Sequence, residues 1–128
     1  MEMNARIALT LAGIFMFAAV ALGAFGAHAL RGQLDPQMTA VWQSAVQYHA
    51  WHALALLGVG SLLLHFPRNR GLQLSAWLFV AGIVLFAGSL YVVALTGLRG
   101  VGAITPFGGV AFLAGWAVLA WSIWRDRD

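Results

Sequence analysis

Trp42-Gln43-Ser44-Ala45-Val46-Gln47-Tyr48-His49-Ala50-Trp51-His52 gathers two Gln, one Tyr, two His and two Trp into one short segment. The segment lies inside an uncharged run from Pro36 to Pro67. That run is long enough to cross a bilayer, which takes about 20 residues. Polar side chains at membrane depth are costly and normally face protein or water, so each marks a candidate site.

The rest of the chain explains why a membrane is the right setting. Of 128 residues, 62% are hydrophobic and 9% charged, with a mean hydropathy of +0.84. A soluble domain carries about 25% charged residues. The length accommodates about four crossings with short loops and no separate soluble domain. The apolar runs are continuous rather than alternating, which predicts helices and not a barrel.

Outward from the quoted segment, Asp35-Pro36 reads as an N-cap followed by proline at the first helical position, and Pro67 ends the helix. The expected helices are about 7–27, 36–66, 72–96 and 106–124. Thr105-Pro106 repeats the cap-then-proline pattern, and Gly97 to Ile104 reads as a loop. The fold class is an all-α membrane protein, a four-transmembrane-helix bundle of two hairpins forming a single domain over 1–128. A cleaved signal peptide competes for the first helix, because Ala27-His28-Ala29 mimics a cleavage site. The run is long for a signal peptide, and the later helices already mark a polytopic chain. In that first helix Gly13, Ala19, Gly23 and Ala27 suit close helix contact. Trp42 suits the interfacial aromatic belt.

All seven cationic residues are Arg. Arg6, Arg68, Arg70, Arg125 and Arg127 fall on one side of the four helices, Arg31 and Arg99 on the other. The positive-inside rule then places both termini in the cytoplasm. Single Arg at helix ends fit topology and headgroups better than nucleic acid, which is not an expected partner. The chain has no Cys, hence neither disulfides nor thiol chemistry.

At 100° per residue, Gln43, Gln47, Ala50, Leu54, Gly58, Ser61 and His65 share about 80° of the second helix and read as its packing seam. Tyr48 and His52 project to nearly the opposite side, with His49 about 60° further round, so at least two sides of this helix are expected to face protein. Counted by depth, the candidate polar cluster is His28, Gln43, Gln47, Tyr48, His49, His52, Ser89, Tyr91 and Thr105. With His52 near mid-membrane and most of the others further out, these residues suggest an outward-facing polar vestibule. His49 and His52, at i, i+3, could share a metal or meet haem. The preferred reading is that each imidazole bonds a carbonyl or hydroxyl on a neighbouring helix. His28, the natural third ligand, sits about 10 Å shallower, and no acid lies in any apolar run. Gln43 and Gln47 are expected to join helices, Tyr48 and Tyr91 to bond across the bundle or anchor at the interface. Arg31 and Arg99 are read as ordinary loop residues in preference to headgroup ligands. No Ser/His/Asp set, carboxylate pair or phosphate loop can be assembled, so no catalytic residue, metal or cofactor is expected.

Four segments together resemble a known family. They are Gly23-Ala24-Phe25-Gly26-Ala27-His28-Ala29-Leu30, Gln47-Tyr48 with His52-Ala53-Leu54-Ala55-Leu56, Gly88-Ser89-Leu90-Tyr91, and Ile104-Thr105-Pro106-Phe107-Gly108-Gly109. Their order and content are similar to the bacterial YgdD-like inner-membrane family, domain of unknown function 423. The resemblance implies a four-helix inner-membrane protein and brings no activity, cofactor or catalytic residue. The expected function is non-enzymatic, through helix–helix and lipid contacts. Membrane lipids, copies of the chain or other membrane proteins are the expected partners. The alternative is a cofactor or small solute held in the polar cluster.

Overall fold

The computed structural model describes residues 2–126, so Arg127, counted above among the cytoplasmic charges, and Asp128 lie outside the described residues. The helices are α1 (Ala5–His28), α2 (Pro36–His65), α3 (Arg70–Gly82), α4 (Gly88–Thr96) and α5 (Thr105–Arg125). A single π-helical segment, Ile83–Ala87, joins α3 to α4 into one helical stretch from Arg70 to Thr96. The expected loop between Gly97 and Ile104 contains a 3₁₀ turn, Arg99–Ala103. No strand occurs among the described residues.

Side-chain caps set three of the starts. Asp35 accepts from the Met38 N–H at 2.7 Å ahead of Pro36. Asn4 and Asn69 do the same for Ile7 and Leu72. Gly97 ends α4 with φ +72°, a left-handed conformation that suits a residue without Cβ. Thr105 does not cap α5: Ile104 holds the cap position and the Thr105 hydroxyl is used elsewhere.

Three stretches are long and apolar enough to cross a membrane: Ala5–His28, Arg70–Thr96 and Arg99–Arg125. α2, at 30 residues, has ample length, but its Gln and His side chains lower its hydropathy. α1 packs along α2, α3 along α5, and α2 also meets α3, the π segment and α4. The chain ends gather with the central turn. Asn69 donates to the Asp126 carboxylate at 2.8 Å, and Glu2 and Asn4 share a surface pocket with Arg68 and Arg70. At the other end Arg99 reaches Gln37 at 3.5 Å.

α2 sits the opposite way round from the expected seam. Its buried side is Trp42, Ala45, His49, His52, Ala53, Leu56, Val59, Gly60 and Leu63. Gln43, Gln47, Leu54, Gly58, Ser61 and His65 are exposed. The small-and-polar stripe is thus the outside of the molecule, and a mixed aromatic and aliphatic face is the inside. Close approach to α1 comes instead through Gly60, where a Cβ would meet Leu9 at 2.8 Å. Trp42 is likewise not an interfacial belt residue. It is 4% exposed, fills the space left by Gly26 on α1, and donates its indole N–H to the Leu22 carbonyl at 3.1 Å.

The apolar core (Leu56, Val59, Leu63, Leu72, Phe79, Phe112 and neighbours) lies toward the central-turn end of α2. Polar and aromatic groups occupy the buried side of α2 toward its start. Dispersion and close packing hold the first region, and hydrogen bonds with ring contacts hold the second.

Candidate functional site

His52 is the best-defined polar group. Its Nδ1 lies 2.7 Å from the Tyr48 carbonyl, and its Nε2 lies 3.1 Å from the Trp116 indole nitrogen on α5. A carbonyl only accepts and an indole N–H only donates, so the ring is a neutral Nδ1–H tautomer with both nitrogens engaged. That assignment follows from the bonding network. The ring stacks on Phe112, centroids 3.6 Å apart and planes 11° from parallel, with Phe79 beside it at 5.6 Å. The lone pair that could bind a metal is already taken by Trp116.

His49 faces a different neighbour. Its Nδ1 and the Tyr91 hydroxyl are 2.9 Å apart, and Phe15 of α1 meets the ring edge-on at 6.1 Å. Nε2 is buried beside the Phe15 backbone without hydrogen-bond geometry, the one such buried side-chain N or O among the described residues. Leaving a buried polar atom unsatisfied costs about 1–3 kcal/mol. Trp42 packs on Tyr91 at 4.8 Å, so the α1, α2 and α4 side chains interlock here.

The third group joins α4 to α5. Ser89 and Thr105 hydroxyls bond directly, and Ser89 also donates to the Phe86 carbonyl at 3.0 Å. This bond sits at the end of the π segment, where Gly108 of α5 packs so close to the Phe86 backbone that no Cβ would fit. The π segment presents Phe86 to Tyr48 at 4.7 Å and to Phe112 at 5.5 Å. A π turn re-aims side chains relative to a regular helix, and here it completes an aromatic wall around His52.

The nine candidate residues therefore do not share one vestibule. His49 with Tyr91, and Ser89 with Thr105, form separate pairs between helices. His52 has its own pocket, and Tyr48 stands partly exposed at its edge. Gln43, Gln47 and His28 are exposed. The two glutamines line a groove of about 530 Å³ between α1 and α2, together with Arg31, Thr39 and Trp42. No three His, Cys, Asp or Glu among the described residues are placed to hold a metal ion.

Sequence reasoning missed Trp116 of α5 and the aromatic residues Phe15, Phe86 and Phe112. Depth contained a signal for Trp116: about eleven residues into α5 and sixteen into α2, two helices that run in the same direction, bring it and His52 to a similar level. It also missed Ser75, which donates to the Gly115 carbonyl at 2.8 Å in the α3–α5 contact.

Sequence comparison adds a family. Residues 22–109 match the family described as "Protein of unknown function (DUF423)". The chain is 43% identical over 114 residues to UPF0382 membrane protein YwdK of Bacillus subtilis, covering 89% of this chain and 93% of that one. It is 40% identical over 123 residues to UPF0382 inner membrane protein YgdD of Escherichia coli K12, covering 91% and 88%. UPF0382 membrane protein SH2409 of Staphylococcus haemolyticus is 38% identical over 120 residues, covering 94% and 97%. No solved structure matches. With apolar helices of membrane-crossing length and relatives matched over nearly their whole length, the chain is a membrane protein and belongs to the DUF423 family, whose function is unknown.

Proposed function

We propose that the chain crosses the bacterial inner membrane four times, as two helical hairpins of one domain with both termini cytoplasmic. It acts there without enzymatic activity, through helix and lipid contacts. Four crossings are supported by the burial of His49, His52 and Trp42 against other helices, which removes the main polar cost from α2. The orientation is supported by the position of Asn69, Asp126, Glu2, Arg68 and Arg70 at one end of the molecule.

One observation carries the functional part. The α2 face bearing Gln43, Gln47, Gly58, Ser61 and His65 is exposed, its two glutamines lining the open groove beside α1. Amides and small residues on a lipid-exposed face are unfavourable unless something in the membrane meets them. This flank is therefore the contact surface, for lipid, for a second copy or for another membrane protein. The alternative of a cofactor or solute in the polar cluster draws less support, because its His, Tyr, Ser and Thr members are divided among separate contacts.

Photoreactive residues placed at Gln43, Gln47, Gly58 and Ser61 test this against Val110 and Leu113, exposed apolar positions on α5. Discrete adducts are expected at the α2 positions and diffuse bulk-lipid labelling at the α5 positions. Equal, diffuse labelling at all six would sink the proposal.

A further inference from the structure

The structure assigns an occupant to this flank: one phospholipid with an anionic headgroup, held lengthwise between α1 and α2. This rests on the contact-surface proposal above and names which membrane component fills part of it.

Two grooves follow one another along the flank. The first, about 530 Å³, holds Arg31, Gln43 and Gln47 at the end nearest the α1–α2 loop. The second, about 610 Å³, is almost wholly apolar and is lined by Gly13, Met16 and Val20 of α1 and Leu54 and Leu57 of α2. They lie on the same side of the helix pair. On α2, Val46 and Gln47 of the first share about 100° of arc with Leu54 and Leu57 of the second. On α1, Gly23 and Ala27 share about 80° with Gly13, Met16 and Val20. From Gln47 to Leu57 is about 15 Å along the helix, the depth of one leaflet's hydrocarbon. The flank thus has a polar, cationic mouth and an apolar channel one acyl layer deep.

Charge selects lipid over a second copy. The mouth carries Arg31 and no carboxylate. Asp35, the only acid between Glu2 and Asp126, does not line the groove and turns one carboxylate oxygen to the Met38 N–H as the cap of α2. A two-fold dimer through this face would set like against like and bring no anion to Arg31. A phosphate does bring one, with acceptor oxygens for the guanidinium and for the glutamine amides. Arg99 differs, since it reaches Gln37 and lies outside the groove. The general preference for ordinary loop arginines therefore holds for Arg99 and is set aside for Arg31. Gly13 fits the same account. A Cβ there would meet nothing within 4 Å, so helix packing does not require its glycine, and a side chain would instead narrow the apolar channel.

The full chain, reconstituted in nanodiscs of equal parts phosphatidylglycerol and phosphatidylcholine, tests this by native mass spectrometry. One retained phosphatidylglycerol per chain is expected, in preference to phosphatidylcholine. Arg31→Gln should reduce that preference about fivefold, the effect of losing one cation near a headgroup. Arg31→Lys should restore most of it, and Arg99→Gln should leave it unchanged. Gly13→Trp should lower retention of both lipids while α-helical content stays constant, and it carries the test if Arg31→Gln fails to assemble. Equal retention of the two lipids, or a preference that survives Arg31→Gln, overturns the proposal. If crosslinkers at Gln47 and Leu54 join two chains instead, the lipid assignment fails and the contact surface stands. If they capture neither lipid nor protein, both fail.

Discussion

The two faces of α2 carry similar kinds of residue in opposite circumstances. On the inward face, His52 is bonded at both nitrogens, His49 meets the Tyr91 hydroxyl and Trp42 donates to a carbonyl of α1. On the outward face, Gln43 and Gln47 have no partner among the described residues, and Ser61 bonds only to Leu57 of its own helix. Polarity alone does not say which face is structural. Partnership does: polar groups that interlock helices have partners within the chain, and polar groups that meet the membrane do not.

The largest test of this contrast is His52→Ala. It deletes a stacked ring and leaves the Trp116 N–H without its acceptor, so unfolding in mild detergent should show a loss of about 3 kcal/mol. A loss no greater than that of Gln47→Ala would erase the distinction between the faces. Tyr91→Phe comes next. It removes only the hydroxyl from the His49 pair, and about 1 kcal/mol is expected, the scale of interhelical bonds in membranes. Adding His49→Phe should cost less than the two single changes suggest, because each single change leaves the other residue's polar group unpaired and the double change removes both. Strict additivity in that cycle would show that the two rings are not coupled. The smallest effect belongs to Gln43→Leu with Gln47→Leu, which should leave fold stability within about 0.5 kcal/mol. A large destabilisation there would mean that these amides bond inside the chain after all.

Much of the fold was legible in the sequence, and the reasons are physical. Uncharged runs bounded by Arg, Pro and Gly mark helices because lipid requires the backbone to satisfy itself. Asp35-Pro36 marked the start of α2 for the same local reason that the structure shows. Charge placement grouped Arg68, Arg70 and Arg125, and the Asn69–Asp126 bond keeps the central turn and C-terminal end together. What could not be read was the rotation of α2. Angular pattern reports which residues share a face, not what that face meets, and both faces of this helix are mixed. The small-residue stripe resembled a packing seam, while the buried side of α2 sets Trp42 against Gly26 of α1, much as Phe112 of α5 sits against Gly82 of α3. The π segment was equally hidden. It lies against Gly108 of α5, which approaches the Phe86 backbone from a position far along the sequence. The candidate residues meet different neighbours for the same reason, since similar depth does not bring side chains together when they project from different sides of their helices.

The rotation of α2 is the central claim, and a nitroxide scan along it tests that claim most directly. The chain has no Cys, so each introduced label is unique. In lipid, oxygen accessibility should peak at Gln43, Gln47, Leu54, Gly58 and Ser61 and fall at Ala45, Ala53, Leu56 and Val59. The inverse pattern, with the glutamine stripe shielded and Ala53 and Leu56 open to lipid, would contradict the account.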